Sequence, residues 1–312
     1  MHYHKKISYC QSDKYFYTHK NIDKQYICIT IKITMNDKLS LCLKITNWCN
    51  LHCAHCCERS NKNNKPNFMS LDKIEKYMGE SLQMNIRPSN LLAISGGEAF
   101  APYMMNEQNY IPFALDLAYS YGYIPTLKTN GTWGDNDTLR IKILSDIASR
   151  AYKYGKLITL DISIDEFHNN KSGVVKIINN IVRNPGLSYT IRFCLVGFNT
   201  NASKTALDDL KQQLQNTGLN IEQTCGGDWM MDIPGSGDGL YICNDYSTPI
   251  YNLGRAKQTK TFTSTNNPNG NDRIDCLQID NSDNAILNYQ YREPIKNRPL
   301  KTVLESLMQK AY

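Results

Sequence analysis

Short runs of apolar and β-branched residues alternate along the chain with longer runs in which apolar residues recur every three or four positions. The short runs predict strands over 26–34, 39–46, 91–94, 124–131, 156–165, 188–196 and 219–223. The longer runs predict helices over 70–78, 111–121, 137–151, 174–182 and 202–214. Strands that alternate with helices in this order favour βα units and a parallel sheet.

This order of elements predicts an α/β fold with a partial (β/α)6 TIM-like barrel over residues 39–224. The stretch is too short for eight βα units, which need roughly 250 residues. Residues 1–38 form an N-terminal extension, whose strand 26–34 is expected to pair with 39–46 as a hairpin across Asn36-Asp37. After Cys225 glycines punctuate short strands, which predicts a small α+β extension over 225–312 that ends in a helix at 300–309.

Composition narrows the class of protein. The chain has 312 residues, a formal net charge of +6 and eleven cysteines. No apolar run approaches ~20 residues and the amino terminus lacks a signal-peptide pattern, so we expect a cytoplasmic protein that does not enter a membrane. Its lysines are spread rather than clustered, which gives no clear nucleic-acid footprint. Because the number of cysteines is odd and no secretion signal is present, we expect reduced thiols and metal ligands rather than a disulfide framework.

The most informative stretch follows strand 39–46 and contains Cys49, Cys53 and Cys56 in a C-x3-C-x2-C spacing. Thiolates are the ligands that iron-sulfur clusters select, and three on one loop leave one iron of a cubane open for chemistry. A zinc site completed by His52, His55 or Cys57 is the sharper alternative, although structural zinc sites usually draw on two separated ligand pairs. The third alternative is that these are scattered structural cysteines that do not form a metal site.

The stretch Ser95-Gly96-Gly97-Glu98 ends the next predicted strand. With the cysteine loop before it, it resembles the radical S-adenosylmethionine (radical SAM) superfamily. The resemblance implies a [4Fe-4S] cluster on Cys49, Cys53 and Cys56. It also implies that Gly96, Gly97 and Glu98 bind the methionine amino group of SAM, with Glu98 accepting hydrogen bonds from the ammonium.

Further SAM contacts are implied by the same resemblance. Ser163 and Asp165, at the end of strand 156–165, would meet the SAM carboxylate and ribose, although capping of the strand end is an equal alternative. Asn130 would meet ribose, or simply form the Asn-Gly turn. Arg192 needs a carboxylate partner, either SAM or a structural acid. His55 stands where the family usually has an aromatic residue, next to adenine.

We therefore expect an enzyme that cleaves SAM reductively to a 5′-deoxyadenosyl radical, which then abstracts hydrogen from a substrate. The alternative is a non-catalytic zinc- or iron-sulfur-binding regulatory module. Residues 225–312 resemble the auxiliary extensions (SPASM or twitch type) of peptide-modifying relatives, so a peptide or protein substrate is expected. Only Cys225, Cys243 and Cys276 lie there, widely separated, which argues against a second cluster. A reductant such as flavodoxin or ferredoxin is the implied partner.

Overall fold

The computed structural model describes residues 6–9, 15–22, 25–32, 40–83, 91–224, 226–233, 239–248, 276–287 and 291–311. The strands are β1 (Lys6–Tyr9), β2 (Tyr15–Ile22), β3 (Gln25–Lys32), β4 (Ser40–Lys44), β5 (Leu91–Ser95), β6 (Ile124–Thr129), β7 (Ile158–Ser163), β8 (Ile191–Phe198), β9 (Ile221–Gln223), β10 (Trp229–Asp232), β11 (Gly239–Thr248), β12 (Cys276–Asp280), β13 (Asn284–Leu287) and β14 (Tyr291–Pro294). The α-helices are α1 (Leu71–Leu82), α2 (Ala101–Met104), α3 (Tyr110–Ser120), α4 (Asp137–Lys153), α5 (Lys171–Val182), α6 (Pro185–Ser188), α7 (Asn201–Asn216) and α8 (Leu300–Ala311), with a 3-10 turn at Thr132–Asp135.

Most strands join one open sheet in the order β14-β13-β12-β4-β5-β6-β7-β8-β11-β10-β9. From β12 to β11 in this order, each strand runs parallel to its neighbours. Antiparallel strands continue the sheet beyond both sides of this parallel set. The α/β class and the partial barrel predicted from the sequence are therefore confirmed, and the sheet does not close on itself.

Two pairings differ from the sequence-based expectation. Strand β4 pairs with β5 and β12 on its two sides, so the hairpin expected between 26–34 and 39–46 is wrong. The N-terminal hairpin joins β2 to β3 instead. The sixth strand expected at 219–223 exists as β9, but β11 occupies the parallel place beside β8. Local patterns identify strands, whereas these neighbours are separated by long stretches of chain, whose pairing such patterns do not encode.

The strands of the parallel set separate an apolar outer face from a polar inner face. Leu41 and Leu43 of β4 are buried in the main apolar core. Cys42 and Lys44, which alternate with them along the strand, line a cavity on the other face. The same alternation of side chains recurs in β5, β6 and β7. On the outer face α3 contacts β6, α4 contacts β7 and α7 contacts β8. The sheet therefore presents its polar residues to the concave side.

The helices begin where local chemistry predicts. Ser70 caps α1 by accepting from the backbone N–H of Lys73 at 3.3 Å, as the sequence indicated.

In the described part of the chain, no helix has the length and apolar character needed to cross a bilayer.

Candidate functional site

A cavity of about 290 Å³ lies at the carboxyl ends of the parallel strands. Its lining includes Cys49, Cys53 and Cys56 from the cysteine loop, Gly96 and Gly97 from the turn after β5, Asn130 from the end of β6, Ser163 and Asp165 from the end of β7, and His55. The carboxyl ends of parallel strands converge on one edge of the sheet, so residues far apart in sequence share this cavity.

The cysteine loop leaves β4 and is fixed by the backbone on both sides. Isolated bridges join Thr46 to Phe68 and Trp48 to Asn61. The N–H of Cys49 donates to the carbonyl oxygen of Asn61 at 3.3 Å. Cys49 is buried, whereas Cys53 and Cys56 are partly exposed, and all three are reduced thiols. The loop therefore presents three potential thiolate ligands to the cavity.

The spacing of the three sulfurs distinguishes between metal sites. In a tetrahedral zinc site with bonds of ~2.3 Å, ligand sulfurs lie roughly 3.8 Å apart. The three cysteines do not form a group whose ligand atoms all lie within 4.8 Å, although His55, Asp165 and His168 do. The three sulfurs are therefore not gathered at the spacing of zinc ligands, and three cavity-lining thiols of one loop are the kind of donor set that iron-sulfur clusters use.

Burial raises the pKa of the Cys49 thiol to about 12, and the nearby Glu98 carboxylate adds to the effect. A thiol with such a pKa is protonated at neutral pH. Because metal ligation requires the thiolate, binding of a cluster at Cys49 would release a proton and replace unfavourable burial of charge by a metal bond.

Gly96 and Gly97 allow the turn after β5 to lie directly against the cysteine loop. The backbone N–H of Gly97 donates to the carbonyl oxygen of Thr46 at 2.7 Å, and that of Glu98 donates to Trp48 at 3.0 Å. A Cβ on Gly96 would lie 2.6 Å from the carbonyl oxygen of Thr46, and one on Gly97 would lie 2.1 Å from that of Trp48. Both distances are too short for any side chain. The glycines therefore connect the two motifs of the site through the backbone.

The Glu98 carboxylate is buried and bonded to the protein. Its Oε1 accepts from the backbone N–H of Phe100 at 3.0 Å and from the hydroxyl of Thr129 at 2.7 Å, and its Oε2 accepts from the N–H of Asn130 at 2.9 Å. Burial raises the pKa of Glu98, whereas these hydrogen bonds act in the opposite direction. A direct contact of this carboxylate with a ligand in the cavity would require one of the three bonds to break.

Asn130 connects β6 to the cysteine loop. Its Nδ2 donates to Oδ1 of Asn50 at 2.9 Å and lies 3.6 Å from Sγ of Cys49. Its Oδ1 accepts from the backbone N–H and the hydroxyl of Thr132 at 3.0 Å and 2.7 Å. The Asn130 side chain thus holds the loop in place at the edge of the cavity.

Asp165 and His168 form a buried pair at the end of β7. Oδ1 of Asp165 accepts from the backbone N–H of Phe167 at 2.8 Å and lies 2.8 Å from Nδ1 of His168. Burial alone would lower the pKa of His168, but the hydrogen bond with Asp165 and one with Cys53 raise it to about 10. The same His168 bond lowers the pKa of Asp165 despite its burial. The pair is therefore ionic at neutral pH.

His55 lies in an aromatic cluster at the mouth of the cavity. Its ring centroid is 4.6 Å from that of Phe167, 4.8 Å from that of Phe198 and 5.2 Å from that of His168. Such flat, tightly packed rings form a surface on which a planar heterocycle can stack.

One sequence-predicted residue lies away from this group. Arg192 is the second residue of β8 and pairs in register with Thr159 near the start of β7. The residues of β8 that line the cavity are Val196, Gly197 and Phe198 at the opposite end of the strand. With a rise of ~3.3 Å per residue, Arg192 lies roughly 13 Å below Val196 along the strand.

The sequence analysis did not identify the polar floor of the cavity. Lys44, Lys128 and Gln278 line it from β4, β6 and β12. The signal was present in the sequence, because charged or amide residues alternate with apolar ones in strands whose other face is buried. The expectation that the cysteines are reduced thiols is wrong for Cys243, which is disulfide-bonded.

Residues 43–194 match the family model described as the radical SAM superfamily. This match spans the cysteine loop, the Gly-Gly-Glu turn, Asn130, Ser163, Asp165 and Arg192. The stretch is a radical SAM domain. Members of the radical SAM superfamily use a [4Fe-4S] cluster and S-adenosylmethionine (AdoMet), so a domain of this family implies these cofactors. No curated protein matches the chain by sequence.

Solved structures similar to this chain share little sequence with it. Native anSMEcpe with bound AdoMet and Cp18Cys peptide is 16% identical over 59% of this chain and 49% of that one, with a TM-score of 0.37. Hexahistidine-tagged anSMEcpe with bound AdoMet is 14% identical over 86% and 77%, with a TM-score of 0.46. BtrN in complex with AdoMet and 2-DOIA is 10% identical over 88% and 87%, with a TM-score of 0.45. In the first alignment the chain spans about half of the other protein.

Proposed function

We propose that Cys49, Cys53 and Cys56 hold the [4Fe-4S] cluster and that SAM binds beside them in the cavity. The observation that supports this most directly is that three reduced thiols of one loop open into the same cavity as Gly96 and Gly97. Cys42 and Cys57 also line the cavity as free thiols, but they stand outside the C-x3-C-x2-C spacing.

When bound, the cluster and SAM supply a 5′-deoxyadenosyl radical that abstracts hydrogen from a substrate. The chain's own residues bind and orient SAM and the substrate, and they exclude water from the cavity. In this proposal Gly96 and Gly97 offer backbone groups to the methionine end of SAM, and Ser163 and Asp165 receive its carboxylate and ribose. His55 provides a ring face for adenine, supported by its contacts with Phe167 and Phe198.

Asn130, Glu98 and Arg192 have a different part in this proposal. Asn130 supports the cysteine loop through Asn50, and Glu98 holds the backbone N–H of Asn130 in place. Arg192 lies at the opposite end of β8, so a contact with SAM at the carboxyl end would need a path along the barrel interior. We therefore keep it as a proposed anion-binding residue of the interior rather than of the SAM site.

We further propose a peptide or protein side chain as the substrate, and an external reductant of the flavodoxin or ferredoxin type. The proposed substrate platform is residues 225–312, which we keep distinct from a core at 39–224. In support, β12 pairs with β4 and β11 pairs with β8, so this segment extends the sheet on both sides of the cavity. Gln278 of β12 also lines the cavity itself.

The experiment is anaerobic reconstitution with iron and sulfide, followed by reduction with dithionite in the presence of SAM. Wild type should bind about four irons, absorb broadly near ~400 nm and form 5′-deoxyadenosine and methionine. Cys49→Ser should lose both cluster and product. Cys57→Ala is the matched control, because Cys57 lines the same cavity but stands outside the C-x3-C-x2-C spacing.

Two outcomes would contradict the proposal. Stoichiometric zinc without absorbance near ~400 nm would favour the non-catalytic metal-binding alternative. Equal losses of iron in Cys49→Ser and Cys57→Ala would show that the loop spacing does not define the ligands.

A further inference from the structure

The inner face of the sheet carries a polar floor formed by Lys44, Lys128, Asp161 and Gln278, and all of these except Asp161 line the cavity of the proposed SAM site. Lys44 is 5% exposed, Asp161 4% and Gln278 1%. Lys44 forms an ion pair with Glu58, and Lys128 lies 2.7 Å from Asp161. Burying charged and amide groups is unfavourable even when they are paired. The outer face already supplies the apolar core, so packing of the sheet does not explain these residues.

Two oxygen atoms of this floor lack a partner within the part of the chain that the structure describes. They are Oε1 of Gln278 and Oδ1 of Asp161. The other carboxylate oxygen of Asp161 accepts from Lys128, which leaves Oδ1 as an acceptor without a donor. Buried acceptors of this kind are rare in folded proteins, and a ligand that donates N–H or O–H groups would satisfy them.

The position of these groups sets the dimensions of such a ligand. Gln278 lies on β12, and Lys128 lies three strands away on β6. At ~4.8 Å between strands, this is roughly 14 Å along the sheet. An extended peptide covers roughly 3.3–3.6 Å per residue, so about four residues would reach from one group to the other.

We propose that this floor binds an extended polar peptide segment of about four residues, with Gln278 at one end and the Lys128–Asp161 pair at the other. This inference rests on the proposed function, because it names the substrate class of that cavity. A backbone or side-chain N–H or O–H group of the peptide donates to Oε1 of Gln278, which lines the cavity. A carbonyl or carboxylate of the peptide accepts from Lys128, whose side chain is 42% exposed and lines the cavity.

The test uses the anaerobically reconstituted protein with SAM and a defined probe. The probe is an equimolar pool of acetylated, amidated tetrapeptides Gly-Xaa-Xaa-Gly with Ser, Asn or Leu at the variable positions. Binding is measured by saturation-transfer NMR. The members with Ser and Asn should bind, and Gln278→Leu and Lys128→Met should each weaken binding at least tenfold.

Matched controls separate recognition from stability. Gln213→Leu changes an exposed glutamine of α7, and Lys142→Met removes a lysine that pairs with Asp146 at the same 2.7 Å and with a similar 41% exposure. Both controls should bind the probe as wild type does. Gln278→Leu should keep or raise the melting temperature, since it removes a buried acceptor that has no donor. Gln278→Glu, which retains an acceptor at the same place, should restore binding to within threefold.

Several results would overturn the inference. They are no binding of any pool member by wild type, preferential binding of the Leu-Leu member, or equal binding by Gln278→Leu and wild type. A lower melting temperature in both Gln278→Leu and Gln278→Glu with unchanged binding would make Gln278 structural. Failure of the proposed function itself is seen separately, as absence of 5′-deoxyadenosine from wild type incubated with SAM and dithionite without peptide.

Discussion

Replacing Glu98 by Gln tests whether this residue supports the cysteine loop or contacts SAM. Its carboxylate receives three donors, from Phe100, Thr129 and Asn130. In Gln the carbonyl oxygen can occupy the Oε1 position and keep the first two donors. The amide NH2 then faces the backbone N–H of Asn130, and two donors meet.

The magnitude follows from counting these bonds. One buried N–H loses its acceptor, which costs about 1–3 kcal/mol of unfolding free energy. The two retained bonds also change from a charged to a neutral acceptor and become weaker. Glu98→Ala would leave three donors without an acceptor and cost roughly 3–9 kcal/mol, a large share of the 5–15 kcal/mol of an ordinary domain.

The assay is urea unfolding of the anaerobic protein before and after cluster reconstitution, together with SAM binding by equilibrium dialysis. Glu75→Gln on the exposed surface of α1 is the control and should change stability by less than ~0.5 kcal/mol. We expect Glu98→Gln to have a lower free energy of unfolding than wild type. Any fractional loss of bound SAM should be no larger than the fractional loss of bound cluster. If Glu98→Gln is as stable as wild type and binds SAM at least tenfold more weakly, the carboxylate contacts SAM and the structural reasoning is refuted.

Two further substitutions probe other parts of the molecule. Gly97→Ala should lose cluster iron, because its Cβ would meet the Trp48 carbonyl at 2.1 Å; the control Gly79→Ala has its nearest neighbour at 3.5 Å and should retain iron. Hydrogen bonds led by one from Lys310 lower the pKa of Glu293 to about 2 from 4.5. This stabilisation is present above pH 4.5 and lost as the pH falls towards 2, so Glu293→Gln should flatten the acid limb of a melting-temperature profile.

The sequence was sufficient to predict the fold class and the motif residues that share the cavity, but not the polar floor formed by Lys44, Lys128 and Gln278. Each motif residue follows an apolar strand, and parallel strands bring their carboxyl ends together, so Cys49, Gly97 and Ser163 could be placed in one cavity without coordinates. Arg192 was the exception. It lies in a strand but near its beginning, and composition alone does not tell the two ends of a strand apart.

The roles of individual side chains were harder to predict. Glu98 and Asn130 stand in motif positions, yet their side chains bond to Thr129 and Asn50. These partners come from other elements, and their direction depends on backbone geometry that sequence spacing does not specify. The ionic pair of Asp165 and His168 is similar, since its strength depends on how deeply both groups are buried.

The position of β11 and β12 also decides which experiments on residues 225–312 are informative. The sequence marks this segment as a separate extension, which suggests truncation at residue 224 as a test that is informative provided the barrel survives. In the structure β12 covers the edge of β4 and β11 covers that of β8. Removing both would expose two long strand edges and the apolar face around Leu277 and Ile279, which are almost fully buried. Loss of activity on truncation would then follow from unfolding whether or not the segment binds substrate. Point substitutions on the inner face of β12 leave these edges covered, so Gln278 is the position at which the substrate platform can be tested on a folded enzyme.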